Sequence, residues 1–193
     1  MAEKKECRGY QFIKNHIVVL LAVCFVFFLA VYFINVIFIQ NEETVVSVLV
    51  LEFMEDSFRL EQQVRETVQA EEDQKVEIRT IASQVEANKA IVLTWIRAQT
   101  VDVIIGEEEQ IAEYAQAGYL KELEKGQSDD FLCARAEYDS EGNIIGTGEE
   151  ECFGKYTADI PGTEFQKPVA GLAENAPHRE NALLLLQSLR ETS

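Results

Sequence analysis

In the body of the chain, apolar residues cluster in the segment VVSVLVLEF, residues 45–53, a nearly continuous Val-rich run. That pattern suits a strand buried on both faces, as in a parallel sheet. Leu60, Val64 and Val68 then recur every four residues and predict one stripe of a helix. From Lys75, KVEIRTIA alternates apolar with polar and reads as a second strand. Val85, Val92, Trp95, Ile96 and Gln99 mark a second helix, and VDVII, Val101–Ile105, a third strand. Ile111, Tyr114 and Ala115 give a third helix, which Gly118 should stop. The order over residues 45–119 is therefore βαβαβα. Strands alternating with helices imply crossover connections and a parallel, doubly wound sheet.

The pattern changes after Leu123. GQSDD is a polar break, and residues 131–158 read as a hairpin with SEGN at its turn. KPVAGLAEN predicts a short strand. APHRENALLLLQSLRE predicts a closing helix with Pro177 in its first turn and Ala182, Leu185, Leu186 and Leu189 on one face.

Ile17–Ile39 carries no charge and is long enough to cross a bilayer of about 30 Å. It exceeds the apolar core of a cleaved signal peptide, and VIFIQNEE offers no small-residue cleavage site. LAVC at Leu21–Cys24 has bulky Val23 where a lipobox needs a small residue. An uncleaved signal anchor over residues 16–40 is the expectation. Bases flank only its N-terminal side, which places residues 1–15 in the cytoplasm and 41–193 outside. The fold class expected is α/β: one transmembrane helix, then a single doubly wound, mostly parallel sheet domain with a β-hairpin insertion.

Charge narrows the partners. The chain of 193 residues has a net charge of −17. Residues 1–15 hold four bases against two acids, so the excess of acid lies beyond them. Such a body is repelled by nucleic acid. Of four cysteines, Cys7 and Cys24 fall in the tail and the anchor, while Cys133 and Cys152 flank the hairpin outside. Paired, they would close a loop of about twenty residues, worth roughly 3 kcal/mol; the alternative is two thiols that never meet. Four metal ligands are not in prospect there, and no cofactor is expected.

Chemistry is sparse. His16 and His178 have no partner at useful spacing and read as surface residues. HExxH, G-x-S-x-G, P-loop and dinucleotide signatures are absent. Open parallel sheets hold ligands at the carboxyl ends of their strands. Those ends offer Asp56 and Ser57, then Ser83 and Gln84, then Glu107 and Glu108 as candidate ligand-binding residues. Each is equally explained as a helix cap or a first-turn acid. Paired carboxylates at Asp56 and Glu107 are the only handle for hydrolysis, so the chain reads as a non-enzyme.

Two segments carry a resemblance. TVDVIIGEEEQIAEYAQAGYLKELE, Thr100–Glu124, and VAGLAENAPHRENALLLLQSL near the C-terminus resemble bacterial extracellular solute-binding proteins of the type 2 periplasmic-binding fold. The resemblance implies one lobe of a protein whose relatives close two lobes on a sugar, peptide or ion. It also implies a small polar solute as ligand and an ABC transporter permease or other membrane protein as partner. About 45 residues, Glu124–Pro168, stand where the second lobe would be inserted. The rival expectation is an interaction module that docks a transporter or signalling partner without a small ligand.

Overall fold

In a computed structural model, residues 16–17, 19, 21–33, 43–82, 85–126, 128–141 and 144–191 are described. The chain divides into two units, 1–42 and 43–193.

The second unit is built on a six-stranded sheet of order β2-β1-β3-β6-β5-β4. β1 (Glu43–Val50), β2 (Gln74–Thr80) and β3 (Val103–Glu107) are parallel. Each is followed by a helix: α1 (Phe58–Val68), α2 (Glu86–Arg97) and α3 (Glu108–Gln116). The βαβαβα order thus stands. So does its physical reason, since Val45–Leu51 and Val103–Ile105 are buried along their length. Val46, Val48, Val50, Val103 and Ile105 face one core with Leu60 and Val64 of α1. Leu49, Leu51 and Ile104 face the other, with Val92 and Ile96 of α2 and Ile111 and Tyr114 of α3. Each fully buried Val or Leu stabilises by about 1.5–3 kcal/mol. The closing helix α4 (Arg179–Glu191) lays Ala182, Leu185, Leu186 and Leu189 into the first core, the face expected for it. Gly118, at φ 76°, ends α3, and the amides of Gly118 and Tyr119 return to the carbonyls of Ala115 and Tyr114.

Two expectations need correction. The sheet is not mostly parallel. β6 (Pro168–Leu172) runs antiparallel to β3, and β5 (Ile144–Tyr156) and β4 (Asp130–Tyr138) continue antiparallel beside it. The hairpin therefore makes up half of the sheet together with β6 and is not an insertion on it. The cause is local: a parallel return needs a crossover of a dozen or more residues, usually helical, and the chain between Leu123 and Pro168 supplies none. β5 meets β6 only at Lys155↔Ala170 and Tyr156↔Val169. Beyond that the strands part, and residues 120–123 fill the gap through bridges Leu120↔Ala173 and Leu123↔Cys152.

The second correction concerns the membrane-spanning helix expected over residues 16–40. Residues 21–33 are helical, and their apolar side chains, among them Phe25, Phe27 and Phe28, are exposed. Among the described residues no helix is long and apolar enough to cross a membrane. The tail 1–15, with Cys7, lies outside the described residues.

Candidate functional site

The carboxyl ends of β1 and β3 are where a ligand was expected. The loop between β5 and β6 lies there instead. Pro168 pairs with Glu107 at the end of β3, so residues 157–167 must pass over that end of the sheet. Ile160 anchors the loop in the first core, where Phe165 packs beside it. Gly162 turns it at φ 86°, and a Cβ there would sit 3.1 Å from both the Asp56 carbonyl oxygen and Met54 Cε. Only glycine suits that turn and that approach.

The acids at this end hold the loop down. Glu107 Oε1 accepts the Gln166 amide at 2.5 Å, and Oε2 accepts the Lys167 amide at 3.2 Å. Gln110 reaches back to the Glu107 amide at 2.8 Å, the return half of a capping box. Glu52, just past β1, accepts the Glu164 amide at 3.0 Å. Glu108 lies 3.4 Å from the Lys167 ammonium. Burial, the Glu108 charge and a hydrogen bond to Glu108 together push the Tyr156 phenol above its ordinary range.

The remaining candidates do not join them. Asp56 is exposed and accepts the Phe58 amide at 2.9 Å, a local turn at the start of α1. Ser57 occupies the N-cap position without a side-chain capping bond. Ser83 and Gln84 lie outside the described residues. The expected constellation is therefore replaced by carboxylates that bind the protein's own amides. Clefts of about 610 Å³ and 560 Å³ flank residues 121–125, away from this end. The larger is lined by charged side chains, including Lys121, Arg135 and Glu174. Lys121 and Glu174 pair at 3.1 Å, and Arg135 lies over the Phe153 ring at 4.7 Å.

A polar cluster missed in the sequence sits at the opposite end of the parallel strands. Asp102 is fully buried. Its Oδ2 accepts the Ser47 amide at 2.7 Å and lies 2.9 Å from His178 Nδ1. Its Oδ1 accepts the His178 amide at 2.7 Å. His178 is therefore partnered, contrary to the reading from spacing. The two residues are 76 positions apart, a separation no local pattern reveals. The signal available was Asp102 itself, a lone acid inside the apolar run VDVII. The cluster ties β1, β3 and the start of α4 together. Ser47 Oγ is buried and makes no hydrogen bond, so this hydroxyl is not hydrogen-bonded to the histidine.

Cys133 and Cys152 are both free and buried. Cys133 pairs with Glu151 and Cys152 with Leu132, one register step apart. That step sends the two thiols to opposite faces of the sheet, which is why the expected disulfide does not form. Burial pushes both thiols above the ordinary range. Among the described residues no group of three His, Cys, Asp or Glu side chains is placed to hold a metal ion.

Comparisons with protein-family models, with curated proteins and with solved structures found no match. The likeness to solute-binding proteins thus rests on the two quoted segments alone.

Proposed function

We propose that this domain is a non-catalytic interaction module that docks another protein. One observation carries the reading: the ligand end of the parallel strands is filled by residues 160–167, whose amides take up Glu52 and Glu107. A pocket for a small solute needs concave space with polar groups left over to orient the ligand. Here those groups are spent within the chain. The solute-binding reading, which the resemblance implies, places its ligand on the same carboxylates and has to displace the loop first. Catalysis has no better footing, since Asp56 and Glu107 each serve backbone amides and Asp102 serves three donors at once.

The test is thermal unfolding of the full chain with sugars, amino acids, short peptides and divalent ions. A ligand at 100 times its dissociation constant would add about 2.7 kcal/mol. The expected result is an unchanged Tm throughout. A solute that raises Tm, and loses that effect in Glu107→Gln, would restore the solute-binding reading.

A further inference from the structure

The two edges of the sheet differ. At one edge β2 presents Lys75, Glu77 and Arg79 in alternation, and they neutralise one another: Arg79 lies 3.0 Å and Lys75 3.9 Å from Glu77. Alternating charge of this kind blunts an edge against added strands. At the other edge β4 runs nine residues and pairs with β5 alone. β4 and the first part of β5 extend beyond β6 as a two-stranded ribbon. An isolated ribbon of two strands is marginally stable in water.

The ribbon's charge is one-sided. From Phe131 to Gly154 there are six acids and one base, Arg135, whose guanidinium lies over the Phe153 ring. Glu137, Glu149 and Glu150 are exposed and form no ion pair among the described residues. Leu132 and Ile145 are exposed beside them, at 46% and 66%. An open strand edge supplies main-chain donors and acceptors, and its side chains set the choice of occupant. A second copy of this chain would bring six more acids against the first six and is disfavoured.

We infer that the β4 edge is the docking surface, and that it takes an extended segment of a partner protein in which Lys or Arg alternates with apolar residues. That segment adds as a seventh strand beside β4. Its cations face the ribbon's glutamates, and its apolar side chains cover Leu132. The inference rests on the docking reading above and gives it a surface and a partner chemistry.

The probe is a labelled ten-residue peptide alternating lysine with valine, titrated into the full chain. It should bind, weaken as salt rises, and slow amide exchange at residues 131–137. Methylating alternate peptide amides keeps the charge but blocks strand pairing, and should weaken binding at least tenfold. Changing Glu149, Glu150 and Glu151 to Lys should do the same. Equal binding by the methylated peptide would show surface condensation and overturn the inference. So would no binding, protection confined to residues 74–80, or a concentration-dependent dimer that excludes the peptide. Any of these alongside an unchanged solute panel removes the β4 edge and leaves protein docking standing. A solute-driven rise in Tm would instead remove the docking reading itself.

Discussion

The parallel and antiparallel halves of the sheet are built on different terms. In β1 and β3 nearly every side chain is buried, because helices cover both faces. The fully buried acid just before β3, Asp102, is matched by three donors. In β4 and the first part of β5, Glu137, Glu149 and Glu150 are exposed and form no ion pair among the described residues, whereas Asp130 at the start of β4 pairs with Lys155. Stability is therefore concentrated in the first half and surface chemistry in the second. On the docking reading, the place to look for function is not the end of the sheet that this architecture usually offers, which the chain covers with its own loop, but the ribbon of β4 and β5 that projects beyond β6.

Mutations should separate the halves. Asp102→Ala strips the acceptor from the Ser47 and His178 amides and from the His178 ring. It should destabilise by about 3–5 kcal/mol in urea unfolding. Leu132→Ala, in the antiparallel half, should change stability by no more than about 0.5 kcal/mol. Equal losses would erase the distinction.

β5 contains both behaviours in one strand. A Cβ at Gly154 would stand 2.8 Å from the Ala170 carbonyl oxygen and from Val169 Cγ1. Gly154→Ala should therefore cost about 1–3 kcal/mol. At Gly148, on the projecting part, the nearest atoms are 3.7 Å away, so Gly148→Ala should stay within about 0.5 kcal/mol of the parent.

The core under α3 carries a pH signature. Burial first, and the Glu113 charge second, push the Tyr114 phenol from 10.0 to about 12. The folded state thus favours the neutral phenol. Its contribution is fully present below pH 10 and is lost as pH rises toward 12. The loss amounts to about 2–3 kcal/mol. Tyr114→Phe should flatten the alkaline limb over that range, and an unchanged limb would place Tyr114 outside the core. The smallest expected effect is on reduction. With Cys133 and Cys152 free on opposite faces, a reductant should leave Tm where it was, and a drop would reveal a bond between them.

The parallel half was legible because its strands and helices are local patterns. Val45–Leu51 is an apolar run broken only by Ser47, and Leu60 with Val64 recurs at helical spacing. The antiparallel half was legible as a hairpin, but its place in the sheet was not. Pairing of β6 between β3 and β5 depends on contacts such as Ile105↔Ala170, which periodicity cannot encode. The partners of the candidate site residues were hidden for a related reason. Glu107 was correctly placed at a strand end and helix start, yet its partners are amides 59 and 60 residues away. Asp102 and His178 were hidden by the same long-range closure. The apolar N-terminal run suggested a full span, whereas among the described residues no helix is long and apolar enough to cross a membrane.

The most direct measurement is amide hydrogen exchange at Glu164, Gln166 and Lys167 in the full chain. If the loop seals the ligand end, these amides exchange slowly, and Glu107→Ala speeds Gln166 and Lys167 while Glu164 keeps its bond to Glu52. Exchange as fast as in an open loop would mean that the carboxyl ends of β1 and β3 stand free, and the docking account would give way to a solute site there.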